Sequence, residues 1–132
     1  MATNTKKVVT KKAKVKKKFP AVRIYLTANL NNTIITLTDT NGGVLAWSSS
    51  GKVGFKGSRK STPFAAQKVA EDVLEKAKAF DAQSVDIFIN GAGMGRDSLI
   101  RTVQNIDMQI NSIVDTTSFA FGGVKPKKRR RV

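Results

Sequence analysis

Nearly all of the net charge lies at the two ends of the chain. Residues 1–18 hold eight lysines and no acid, and residues 125–132 hold six Lys or Arg and no acid, so the ends carry fourteen of the net +15. The segment between them sets ten basic residues against all nine Asp and Glu. A run of like charge with few apolar residues cannot bury enough surface to offset its ordering entropy. Folding must therefore happen between the ends. The expectation is a basic N-terminal arm over 1–19, a folded domain over 20–116 and a basic C-terminal tail over 117–132. Both ends are expected to be disordered until a polyanion neutralises them, and nucleic acid is the expected polyanion.

The remaining composition excludes more than it selects. A chain of 132 residues has room for one domain with one core. It contains no cysteine and no histidine, which removes disulfides, thiolate and imidazole metal sites and the commonest general base. No apolar run of signal-peptide or membrane-spanning length follows the cationic start, so secretion is not expected. The lysine arm also lacks a Trp or Leu face to insert into a lipid surface. The expectations are no cofactor, no metal, no membrane partner and no stable homo-oligomer.

Hydrophobic periodicity divides the body into strands followed by alternating helix and strand. Val22, Ile24, Leu26 and Ala28 alternate with Arg23, Tyr25 and Thr27, and Ile35 and Leu37 alternate with Thr36 and Thr38. The turn residues Asp39 to Gly43 then lead into a third strand over Val44 to Ser50. At Thr62-Pro63 the period changes. Thr is a good N-cap, Pro suits the first helical position, and Ala66, Val69, Ala70, Val73, Leu74 and Ala77 recur at helical spacing, predicting a helix from Pro63 to Phe80. A strand follows through Val85, Ile87 and Ile89, with Phe88 on its other face suggesting burial on both sides. Gly91 to Gly95 opens a second helix carrying Leu99, Ile100, Val103 and Ile106, and a last strand covers Ile110 to Val114. The predicted class is α/β, a mixed sheet with the order β-β-β-α-β-α-β in two or three layers.

The segment Gly51 to Pro63 stands out for chemistry. It contains Lys52, Lys56, Arg59 and Lys60, three glycines and no acid, and it joins a strand to a helix start. Glycines let backbone approach a phosphate, a helix start offers N–H groups, and the cations supply counter-charge. Phosphate contact is expected across Lys52, Lys56, Gly57, Ser58, Arg59, Lys60, Ser61 and Thr62. Phe55 either stacks on a base or caps the core. The glycine turn fails as a dinucleotide fingerprint, because Gly91, Gly93 and Gly95 read G-x-G-x-G and no acid follows at the required distance. A phosphate-binding P-loop is missing as well, since Ala46 stands where its first glycine would be. Arg96 and Arg101 suit an RNA phosphate better than a mobile cofactor. Asp39, Asp86, Asp97, Asp107 and Asp115 are scattered over separate elements, which argues against metal-dependent catalysis, and the chain is expected not to be an enzyme. Trp47 and Tyr25 are expected to be packed. Two rival classes share the charge pattern: a condenser that grips duplex DNA by its arms alone, and a metal-dependent nuclease relying on Asp39 and Asp86.

Several stretches together resemble the family of ribosomal small-subunit protein eleven. They are Asn31 to Ile35, Ala46 to Gly51, Gly54-Phe55-Lys56-Gly57-Ser58-Arg59-Lys60-Ser61-Thr62-Pro63-Phe64-Ala65-Ala66-Gln67, and Lys127 to Val132. The resemblance implies a component of the small-subunit platform that binds small-subunit rRNA, neighbours proteins seven and eighteen, and helps form the cleft through which mRNA leaves near the Shine-Dalgarno pairing. It implies a ribonuclease H-like core without that enzyme's acidic site, in a bacterial cytoplasmic or an organellar ribosome. By the resemblance, rRNA contact falls on the loop Lys52 to Thr62, on Gly91, Gly93, Gly95 and Arg96, and on the tail residues Lys125, Lys127, Lys128, Arg129, Arg130 and Arg131. One departure matters. Where the family usually has T-P-x-P-H-N-G, this chain has Thr117-Ser118-Phe119-Ala120-Phe121-Gly122-Gly123, so the approach to the tail loses two prolines and gains two phenylalanines.

Overall fold

A computed structural model of the chain describes residues 17–131. Most of the expected N-terminal arm therefore lies outside the described residues. The elements run β1 (Ala21–Ala28), β2 (Thr33–Thr38), β3 (Val44–Ser49), a 3-10 turn (Gly57–Ser61), α1 (Pro63–Lys78), β4 (Ser84–Asn90), α2 (Gly95–Asn105) and β5 (Gln109–Asp115). They form one mixed sheet in the order β3-β2-β1-β4-β5. The pairs β1 to β2 and β2 to β3 are antiparallel, while β4 joins β1 and β5 in parallel. The expected mixed α/β sheet is present.

The hairpin between β2 and β3 closes on Asp39. Its carboxylate accepts the N–H groups of Asn41 (2.9 Å) and Gly43 (2.8 Å), satisfying backbone that a tight turn would otherwise leave open. Both helices lie on one face of the sheet. Val22, Ile24, Leu26, Ile35, Leu37, Val85 and Ile87 from the strands meet Val69, Val73, Leu74, Leu99 and Val103 from the helices in a single buried cluster. The buried stripe of α1 is largely alanine (Ala65, Ala66, Ala70, Ala77), and small side chains let the helix lie close against the strands. Leu74 is completely buried there. Truncating such a side chain to Ala costs about 2–5 kcal/mol.

Three expectations need correction. The interior strand β4 is covered on one face only, because the described residues form no second helical layer; Phe88 sits half-buried on the open face. Trp47 and Tyr25 lie on that same open face and are 51% and 37% exposed. Alternating apolar residues are compatible with a second layer, but only the placement of both helices decides whether one exists. Helix α1 also stops at Lys78, short of Phe80. Asp81 takes φ 57° and the Ala82 N–H returns to the Ala77 carbonyl, turning the chain toward β4.

Candidate nucleic-acid interface

The segment that follows β3 is built by its own backbone. The Val53 N–H donates to Ser49 O and the Phe55 N–H to Ser50 O, which curls the chain back under the end of the strand. Gly57 then takes φ 59°, a left-handed conformation that a side chain disfavours, and opens the 3-10 turn. Thr62 locks this turn to α1. Its hydroxyl donates to Arg59 O at 2.8 Å and accepts the Ala65 N–H at 3.3 Å, while Pro63 occupies the first helical position. Phe55 is half-buried and meets Phe64 edge to face, with ring centroids 5.9 Å apart. Phe55 thus supports the loop from below, and Phe64, 58% exposed, is the ring that faces solvent.

With the loop so fixed, its side chains divide by task. Ser61 donates its hydroxyl to Ser58 O, and Thr62 is spent on the cap, so both build the loop. Lys56, Arg59 and Lys60 form no ion pair among the described residues, and no acid stands in the first turn of α1. Capping leaves the start of the helix with little free N–H, because the Ala65 and Ala66 groups both return to Thr62. Phosphate attraction at this loop rests mainly on the cations. Val53, Gly54, Phe55, Lys56 and Arg59 line a concavity of about 410 Å³. Around the helix start, Arg101 of α2 joins Pro63, Phe64 and Gln67 of α1 along a second groove of about 340 Å³. The fold thus brings Arg101 to the same end of the molecule as the loop.

Lys52 is placed differently. Its ammonium lies 4.6 Å from the centroid of the Trp47 ring and donates to Trp47 O at 3.0 Å. The ammonium of Lys76 beside it lowers the Lys52 pKa. Arg96 is also committed internally. It donates to Gly91 O (3.1 Å) and pairs with Asp115 at the end of β5, clamping the glycine turn to the last strand. Asp115 accepts in addition from the Thr117 hydroxyl and N–H, and these bonds, with Arg96, hold its carboxyl down at about 2. The glycines of that turn answer to packing. A Cβ on Gly91 would lie 2.2 Å from Ala28 O, and the Gly93 N–H donates to that same carbonyl at 2.8 Å.

The tail cations Lys125, Lys127, Lys128, Arg129, Arg130 and Arg131 are exposed and without regular structure. The last anchored residues are Thr116, whose N–H reaches Ile89 O at 2.7 Å, and Thr117. Beyond them Phe119 and Phe121 are 80% and 94% exposed. The acids stay apart: Asp39 closes a hairpin, Asp86 accepts from Ser112, and Asp115 holds Arg96. Among the described residues no three of His, Cys, Asp or Glu gather where a metal could bind, and no helix is long and apolar enough to cross a membrane.

The loop cations, unpaired among the described residues, and the basic tail give this end of a small α/β body the charge that would attract a polyanion. Residues 22–131 match the family described as ribosomal protein S11. The chain belongs to the ribosomal protein S11 family. As a member it is an RNA-binding ribosomal protein of the small subunit, acting in translation, with rRNA and other ribosomal proteins as its general class of partner. The match takes in the loop, the Arg96 clamp, Arg101 and the basic tail through Arg131, so every segment described above lies within the part of the chain that carries the S11 relationship.

Proposed function

We propose that this S11-family protein is a non-enzymatic structural component of the small-subunit platform. In this reading it binds small-subunit rRNA beside proteins seven and eighteen and helps shape the cleft by which mRNA leaves near the Shine-Dalgarno pairing. The observation that carries the reading is the loop: Lys56, Arg59 and Lys60 are unpaired among the described residues, carried by a turn that Thr62 closes, and joined at one end of the body by Arg101. Folded RNA is recognised largely by shape and by backbone and 2′-OH contacts, so a rigid cationic loop suffices without a base-reading motif. The tail cations Lys125 to Arg131 neutralise further phosphates, and the body between them, residues 20–116, supplies the rigid part. The sheet order β3-β2-β1-β4-β5 supports a ribonuclease H-like core, here lacking the acid cluster that enzyme uses. The setting is a bacterial cytoplasmic ribosome or an organellar one.

Within this reading Lys56, Arg59 and Lys60 are the primary contacts of the loop. Gly57, Ser58, Ser61 and Thr62 shape its backbone, and Arg96 holds the adjoining turn. The test is binding of the full chain to a platform rRNA fragment, a shuffled RNA and a duplex DNA at about physiological salt, where nonspecific affinity is weak, roughly 10⁻⁴ to 10⁻⁶ M. Preference for the platform fragment, lost on changing the three loop cations to Ala, is the expected result. Equal binding to all three nucleic acids would refute it and favour the condenser.

A further inference from the structure

We infer that the face of the sheet left open by the helices is a second RNA surface, one that takes unpaired bases by stacking. Cross-strand register sets Trp47 beside Thr36, Thr36 beside Tyr25, Tyr25 beside Phe88 and Phe88 beside Val114. One row of side chains therefore crosses all five strands, with aromatic rings at three of its positions. Trp47 stands half out of the surface, and Tyr25 and Phe88 stack with centroids 4.9 Å apart and planes 13° apart. Half-exposed aromatic rings gathered in one row of open sheet call for a partner.

The surroundings of the row identify that partner's chemistry. Each ring system has a cation at its side: Lys52 lies 4.6 Å from the Trp47 centroid, and the Arg23 guanidinium lies 6.0 Å from that of Phe88. The acid in the neighbouring row, Asp86, already accepts a hydrogen bond from Ser112 at 2.8 Å. The flanking rows mix polar and apolar groups, with Ser49, Ile34, Thr27 and Asn90 on one side and Val44, Arg23, Asp86 and Ser112 on the other, where Thr38 is buried. A protein partner would call for an apolar core in which charge is depleted. Rings paired with cations and edged by hydroxyls and an amide match a single strand, whose bases stack, whose phosphates need counter-charge and whose 2′-OH groups seek partners.

Geometry also selects against a duplex. Trp47 and Tyr25 stand two strands apart, about 10 Å at ordinary strand spacing, so they seat two splayed bases rather than a continuous stack. Bases paired in a helix already stack on one another and offer no free ring face to the sheet. On binding, Lys52 would exchange its contact with the Trp47 ring for a phosphate. The inference rests on the proposed function for the choice of RNA as polymer, yet it uses a face distinct from the loop.

Trp47 is the single tryptophan of the chain, so its fluorescence reports this face directly. The full-length protein is titrated with a short unstructured RNA, with the same length of abasic ribose-phosphate strand, and with an RNA duplex, at salt high enough to suppress tail binding. Saturable quenching by the base-bearing single strand, with little response to the other two, is expected. By anisotropy of the labelled single strand, Trp47→Ala should weaken binding roughly 5- to 150-fold, the range seen when a stacking ring is removed, and Trp47→Phe should recover most of it. Equal quenching by the abasic strand or duplex would overturn the inference in favour of phosphate contact alone. No quenching by any of them, or unchanged affinity in Trp47→Ala, would overturn it in favour of a protein cover. The Lys56, Arg59 and Lys60 triple-Ala variant separates the two readings: loss of platform-fragment binding with the quenching intact is expected, whereas loss of the quenching would return the single strand to the loop and overturn the second surface.

Discussion

Thr62→Val tests the joint on which the loop depends. The change removes the hydroxyl and keeps the shape. Thr62 sits at φ −74° and ψ 151°, an extended conformation that valine adopts readily, so no backbone strain is added. Two interactions are lost: the cap to the Ala65 N–H and the donation to Arg59 O. A cap of this type contributes about 0.5–2 kcal/mol, and a partly exposed neutral hydrogen bond roughly 0.5–1.5 kcal/mol. The 3.3 Å length of the cap places it toward the low end of its range, so a combined loss of about 1–2 kcal/mol is expected. With an m-value of about 2 kcal/mol per molar urea, the unfolding midpoint of the RNA-free protein should fall by roughly 0.5–1 M. Thr62→Ser keeps the hydroxyl and should remain within about 0.5 kcal/mol of wild type. Because Arg59 and Lys60 are carried by the turn that Thr62 closes, the Val variant should also lose affinity for a platform fragment even where it is fully folded. A midpoint unchanged in Thr62→Val, or lowered equally in Thr62→Ser, would refute this account of the joint.

Changing Lys56, Arg59 and Lys60 together to Ala should reduce the slope of log affinity against log salt by about 2–3, at roughly 0.7–0.9 per phosphate contact, with the urea midpoint unchanged. Gly91→Ala should be far more damaging than Gly42→Ala. Both glycines have positive φ (97° and 92°), but the new Cβ meets Ala28 O at 2.2 Å in the first case and nothing within 4 Å in the second. Losses above roughly 3 kcal/mol against about 1 kcal/mol are expected in thermal unfolding. Arg101→Ala should leave stability within about 0.5 kcal/mol and lower the salt slope by about one contact. The carboxyl of Asp115 is held below its ordinary 3.8, at about 2, by Thr117 and Arg96. Its stabilising contribution is therefore complete above pH 4 and is lost as pH falls toward 2. The stability difference between wild type and Asp115→Asn, measured by denaturation across that window, should shrink as pH falls, and a constant difference would contradict the assignment.

That a mixed α/β sheet forms was legible wherever chemistry is local. The period of two in Val22 to Ala28, the Asp39 hairpin and the Thr62-Pro63 helix start each declare themselves within a few neighbours. The candidate loop was legible for a related reason: a cluster of cations without acids stands out against a balanced body. Contacts between distant residues were not. Nothing near Arg96 announces Asp115, nineteen residues on and on another strand. Residues Gly57–Ser61 are too few to display a period, so the 3-10 turn could not be read. The glycines at 91 and 93 mark a turn in the sequence, but the carbonyl they must clear belongs to Ala28, in a strand formed far earlier in the chain. Tyr25 and Phe88 illustrate the same limit, since alternation reveals two faces of a strand but not whether both are covered.

The cations of the body sort by whether an acid holds them. Lys68 pairs with Glu71, Lys76 with Asp72 and Arg96 with Asp115, all within or between elements of the fold. Such exposed pairs contribute little stability each, about 0–1 kcal/mol, but they cancel charge locally and remove those residues from long-range attraction. Arg23, Lys52, Lys56, Arg59, Lys60, Lys78 and Arg101 form no such pair among the described residues. Lys56, Arg59, Lys60 and Arg101 lie in the loop beyond Gly54 or beside the start of α1, while Lys52 lies against Trp47, Arg23 beside Phe88 and Lys78 at the far end of α1. Four of the seven uncancelled cations of a nearly neutral body are thus gathered at one end. An RNA approaching through the tails alone could take many orientations. In the proposed function, the four gathered cations would favour the orientation that brings the Thr62-locked loop to the phosphates, and the tails would add affinity to that pose.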